Sequence, residues 1–101
     1  MLNRALLGAA VLALTAPFAM AGPIDSACAR SARASGNGSV CNCIQQVADQ
    51  TLSPSDQRRA AAFFRDPDQA QSVRMSKTGT DNAFWARYKN FATTAEAYCA
   101  R

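Results

Sequence analysis

Residues 53–68 read Ser53-Pro54-Ser55-Asp56-Gln57-Arg58-Arg59-Ala60-Ala61-Ala62-Phe63-Phe64-Arg65-Asp66-Pro67-Asp68. This stretch starts two helices by one grammar. Ser53 is an N-cap, Pro54 takes the first helical position, where a missing N–H costs nothing, and Asp56 faces the positive end of the helix dipole. Asp66, Pro67 and Asp68 repeat the pattern. The first helix is expected to run to about Arg65 and to bury Ala60, Phe63 and Phe64; the second, shorter one is expected to reach about Met75.

The neighbouring segments fit the same class. Ser39 is placed to cap a helix over Val40 to Leu52, with Val40, Ile44, Val47, Ala48 and Thr51 or Leu52 on its apolar face. Before it, Ser35-Gly36-Asn37-Gly38 reads as a turn, since Asn-Gly and Ser-Gly tolerate the left-handed backbone. A short Ala-rich helix is expected over Ile24 to Arg33. After the loop Lys77-Thr78-Gly79-Thr80, Thr80 or Asp81 caps the longest helix, which ends near Tyr98 or Cys99. Its stripe Phe84, Tyr88, Phe91, Ala95 and Tyr98 is the expected core face, with Trp85 one position off it and the aromatic nearest the surface. No segment alternates apolar and polar residues as a strand would. The expected fold is all-α: a small compact bundle of four to five short helices.

Residues 1–21 read as a cleaved signal peptide. Arg4 is the positive n-region, Ala5 to Ala16 is apolar, and Ala19-Met20-Ala21 is an A-x-A cleavage site before Gly22. An apolar run of 12 residues is short of the roughly 20 that span a bilayer. Residues 22–101 then form a single domain with no transmembrane segment, in the periplasm or outside the cell. Leu52 is its only leucine, so its core is modest and depends on staples.

The 101 residues include four cysteines and no histidine. The missing imidazole excludes Ser–His triads, His-bound metals and His-ligated haem. In an oxidising compartment an even number of cysteines reads as two disulfides. Cys41 and Cys43 lie two positions apart, about 200° around a helix, so each must bridge a different element. The partners are Cys28 and Cys99. With Arg33 opposite Ser39 in an antiparallel pair, Cys28 falls opposite Ile44. That register favours Cys28–Cys43 with Cys41–Cys99 over Cys28–Cys41 with Cys43–Cys99. The functional rival is thiol–disulfide exchange by the C-x-C pair, because a helix N-terminus lowers a thiol pKa. A Cys₄ metal site lacks the usual knuckle spacing. No metal and no cofactor are expected.

Removing Arg4 leaves ten basic and seven acidic side chains, a net charge of +3. Arg58, Arg59, Arg65, Arg74 and Lys77 are the candidates for a cationic patch facing anionic lipid, envelope polymer or an acidic protein. The acidic residues Asp49, Asp56, Asp66, Asp68, Asp81 and Glu96 are interleaved with them. A charge of +3 is small for a phosphate footprint, so nucleic acid is not an expected partner. No carboxylate sits in an apolar pattern that would suit it for acid catalysis. The candidate contact residues are Arg58, Arg59, Arg65 and Trp85, and no catalytic residue is expected.

Cys41-Asn42-Cys43-Ile44-Gln45-Gln46-Val47-Ala48-Asp49, Ser55-Asp56-Gln57-Arg58-Arg59-Ala60-Ala61, Phe63-Phe64-Arg65-Asp66-Pro67-Asp68 and Phe84-Trp85-Ala86-Arg87-Tyr88 together resemble a group of short exported bacterial proteins with four cysteines, labelled "arginine transporter". The resemblance covers nearly all of residues 22–101. It implies a part in arginine uptake. Eighty residues without a spanning helix form no translocation path, so that part is expected to be an accessory or a solute-binding module. Such a module needs an acidic, aromatic-lined pocket, with Asp81 or Glu96 near Tyr88 as candidates. The leading expectation is a non-catalytic periplasmic binding or envelope-interaction protein whose partner is a protein, an envelope component or a small solute. A periplasmic chaperone is a further expectation, by analogy of fold alone.

Overall fold

A computed structural model describes residues 22–31 and 38–99. The expected signal peptide at residues 1–21 and most of the expected turn before Gly38 lie outside the described residues. Five helices follow in order: α1 Pro23–Arg30, α2 Gly38–Thr51, α3 Pro54–Arg65, α4 Pro67–Met75 and α5 Gly79–Cys99. Among the described residues there is no strand.

The two Pro-led starts form as their local chemistry dictates. Ser53 Oγ accepts from the Asp56 N–H at 3.1 Å. Asp66 Oδ1 accepts from the Asp68 N–H at 3.2 Å, so Asp66 both closes α3 and opens α4. The longest helix starts earlier than expected. Thr78, not Thr80 or Asp81, supplies the cap: its Oγ1 accepts from the Asp81 N–H at 3.1 Å. Asp81 thus falls in the first turn, where a carboxylate complements the dipole.

The helices close into one bundle. α1 lies against α2 and α3, α2 runs along α5, and α4 bridges α3 and α5. The core draws on all five: Ile24 and Ala27 from α1, Val47 and Ala48 from α2, then Leu52, Ala60, Ala61 and Phe63, Val73, and Phe84, Phe91 and Ala95 from α5. Phe63 brings α3 onto α5. Its ring meets Phe84 and Tyr88 edge-on at 6.0 and 5.0 Å between centroids, and Tyr88 stacks on Trp85 at 5.2 Å. Such pairs add roughly 0.5–1.5 kcal/mol each beyond the area they bury.

Two expected core faces need correcting. On α2 the buried stripe is Cys41, Gln45 and Ala48, continued by Leu52, while Val40 and Ile44 are only half-buried. On α5 Tyr98 is 73 % exposed and Cys99 takes its place in the stripe. In both helices a disulfide cysteine turns the face toward itself.

The disulfide pairing also departs from the favoured one. Cys28 bonds Cys41 and Cys43 bonds Cys99, with Cα–Cα distances of 5.6 and 5.7 Å. The cause is register. α1 ends at Arg30, and Ser31 is already extended, so the helix stops three residues short of Arg33. With Arg30 rather than Arg33 near the start of α2, Cys28 faces Cys41 instead of Ile44. The C-x-C sulfurs diverge as their helical spacing requires. One ties α2 to α1, the other ties α2 to the end of α5.

Candidate functional site

A cleft of about 310 Å³ opens where the starts of α1 and α3 meet α2, lined by Gly22, Pro23, Gln45, Asp49, Pro54, Gln57 and Arg58. Its floor is two buried glutamines, each about 6 % exposed. Gln45 extends from α2 to the first turn of α1, where its Oε1 accepts from the N–H groups of Ile24 and Asp25, both at 2.9 Å. Gly22, the N-cap residue, offers no side chain for this purpose, so a distant residue caps the helix. The Nε2 of Gln45 donates to Gln57 Oε1 and to Asp49 Oδ1, both at 2.8 Å.

Gln57 mirrors that arrangement at the other end of α2. Its Nε2 lies 3.2 Å from the Ala48 carbonyl, 3.2 Å from Asp49 Oδ1 and 3.3 Å from the Leu52 carbonyl. It therefore caps the carbonyl end of α2 while accepting from Gln45. Every polar atom of both amides has a partner, which is the condition for burying them at small cost. The chemical result is a rigid polar floor with the exposed charges of Asp49 and Arg58 at its rim.

The four expected contact residues do not form one patch. Arg58 lines the cleft. Arg65 is exposed at the far end of α3. Trp85 is half-buried against Phe63 and Tyr88. Arg59, half-buried, is already partnered: its Nη2 donates to Asp81 Oδ1 at 2.6 Å, and its guanidinium carbon lies 4.5 Å from the centre of the Phe84 ring. Hydrogen bonds from Arg59 and then Ser76 hold the Asp81 carboxyl below the usual carboxylate range. The pocket expected for an arginine ligand places Asp81 or Glu96 near Tyr88; Asp81 holds the chain's own Arg59, whose guanidinium lies over Phe84. Arg87 is likewise paired, with Asp56 at 2.6 Å, and that hydrogen bond pushes the guanidinium pKa up.

Among the described residues no cysteine is free. Cys28 and Cys41 are essentially sealed, Cys99 is buried and Cys43 is half-buried. No helix of the described residues is long and apolar enough to cross a membrane.

Gln45 and Gln57 are the residues that sequence reasoning missed. A signal was present. Gln45 stands four residues after Cys41 and three before Ala48, and Gln57 stands three before Ala60. Each is a polar residue on an otherwise apolar stripe, where a buried side chain must find partners.

No protein-family model, curated protein or solved structure matches this chain.

Proposed function

We propose that the protein is an exported, non-catalytic binding domain that meets an anionic partner of the cell envelope through Arg58 and Arg65. The observation that carries the non-catalytic part of this reading is the closure of the C-x-C sulfurs in two different disulfides. A thiol exchanger needs an accessible thiolate or a strained, exposed bridge; the Cys28–Cys41 bridge is sealed, and in the Cys43–Cys99 bridge Cys99 is buried and Cys43 half-buried. What the bundle offers to solvent is charge. Arg59 and Arg87 are each paired with a carboxylate of the chain, whereas Arg58 and Arg65 are exposed and take no part in an ion pair among the described residues.

The test is retention of the exported protein on isolated envelope fractions across a salt series. Wild type is expected to bind at low salt and to elute as the Debye length shrinks. An Arg58→Glu/Arg65→Glu variant is expected to elute at markedly lower salt. Equal retention of the two proteins would overturn the assignment. The alternative, an accessory for arginine uptake, is favoured instead if millimolar arginine raises the Tm and the double variant does not alter retention.

A further inference from the structure

Gly22 occupies a position where any side chain would crowd Gln45. A Cβ built on it would lie 2.5 Å from Gln45 Oε1 and 2.6 Å from Gln45 Cδ. A free glutamine tip would swing aside, but this one is fixed by four hydrogen bonds, two to α1 and one each to Asp49 and Gln57. The tight approach falls on the residue directly after the A-x-A motif at Ala19–Ala21. Gly22 also faces the same cleft as Asp49, and its carbonyl accepts the Ser26 N–H at 3.0 Å as the first bond of α1.

We infer that hydrolysis of the Ala21–Gly22 peptide bond adds a cation to this cleft, by releasing the Gly22 α-ammonium on the side that the Asp49 carboxylate lines. The inference rests on the export reading and goes beyond it. Water is the co-reactant: the acyl carbon of Ala21 takes its oxygen and leaves as a carboxylate, and the Gly22 nitrogen takes up protons to become an ammonium. A positive charge at the start of a helix opposes the helix dipole. Two carboxylates offset it, Asp49 from α2 across the cleft and Asp25 in the first turn of α1. Arg58 from α3 acts in the opposite sense. Processing thus adds a cation to the rim that carries Asp49 and Arg58. A side chain at this position would press on the Gln45 amide, whose Nε2 donates to Asp49.

The exported protein is isolated from the periplasm, its intact mass is measured, and its amines are acetylated under limiting reagent at neutral pH. Lys77 and Lys89, both exposed, serve as internal standards. The mass is expected to equal residues 22–101 with two disulfides. Asp49→Asn keeps an oxygen to accept from Gln45 and Gln57 but removes the charge. It is expected to speed acetylation of the Gly22 amine by about threefold relative to the lysines, the effect of half a pKa unit. Arg58→Gln is expected to slow it. A merely structural role for either residue would not move the two rates in opposite directions. Failure is distinguishable by stage. An uncleaved chain overturns the export reading and this inference with it. Cleavage before another residue overturns the inference alone. Cleavage at Gly22 with acetylation unchanged in both variants overturns the docked ammonium and leaves export standing.

Discussion

The side-chain amide of Gln45 donates to the side-chain carbonyl of Gln57 at 2.8 Å, and through that bond the first turn of α1 is tied to the last turn of α2. Replacing Gln45 by Ala leaves the Ile24 and Asp25 N–H groups and Gln57 Oε1 without this partner. The expected loss is about 2 kcal/mol or more, because stranded buried polar groups cost more than the net gain of a made bond. Gly22→Ala attacks the same point from the other side, by overpacking against a side chain that cannot yield, and is expected to cost about 1–3 kcal/mol. Urea denaturation of both variants and of the pair together checks the link. The two losses should fall short of additive, since each variant disturbs the same capping contact.

The disulfides make separable contributions. In the chain-entropy picture the Cys28–Cys41 loop, with a sequence separation of 13, stabilises by about 3 kcal/mol, and the Cys43–Cys99 loop, with a separation of 56, by about 4 kcal/mol. Paired Cys→Ala variants compared by chemical denaturation test that order. Access predicts a second order. Cys43 is half-buried and Cys28 and Cys41 are sealed, so limited reduction followed by alkylation and peptide mapping should label Cys43 and Cys99 first. Labelling of Cys28 and Cys41 first would contradict the packing around α1.

Arg59 and Asp81 predict an acid-limb effect. Because Asp81 is held below its ordinary value of 3.8 by Arg59 first, the ionised carboxylate favours the folded state. That contribution is complete above the unfolded value and is lost as pH falls through the folded one. The Tm gap between wild type and Asp81→Asn should therefore be constant near neutrality and shrink below about pH 4. Arg59→Lys should lose part of the same gap at every pH, since an ammonium keeps the charge but not the planar stack on Phe84. A pH-independent gap for Asp81→Asn would mean that folding does not favour the ionised carboxylate, and would contradict its pairing with Arg59.

These contacts show which parts of the fold could be read in advance. The starts of α3 and α4 were legible because Ser53, Pro54, Asp66 and Pro67 act on backbone within three residues of themselves. The all-α class followed from the same local signals. The cysteine pairing was not legible, because it turns on where α1 ends, and ending at Arg30 instead of Arg33 moves the partner of Cys28 from one side of α2 to the other. The cleft was obscured for a related reason. Gln45 and Gln57 bond to groups as far as 21 residues away, and an amide on an apolar stripe declares neither its partner nor its depth. Arg59 looked like a surface cation because Asp81 stands 22 residues further on. Helix ends and long-range polar partners are properties of the packed bundle, and they decide the site.

Tyr88 joins the aromatic core to the alkaline behaviour of the protein. Its ring contacts Phe63, Phe84, Trp85 and Phe91, and burial pushes its phenol above the ordinary value of 10.0. The folded state therefore keeps a proton that the unfolded chain releases. Stability from this source is fully present below about pH 10 and falls as pH rises through the folded value. Tyr88→Phe removes the ionisation and keeps the ring. The variant should match wild type in Tm at pH 7 to 9 within a few degrees, then unfold at a higher temperature than wild type as the pH passes 10. Thermal scans with both disulfides intact, taken in steps from pH 8 to pH 11, provide the check. Parallel Tm curves for the two proteins across that range would show that Tyr88 ionises within the folded bundle as readily as outside it, and would place its hydroxyl in contact with solvent instead of behind the aromatic cluster.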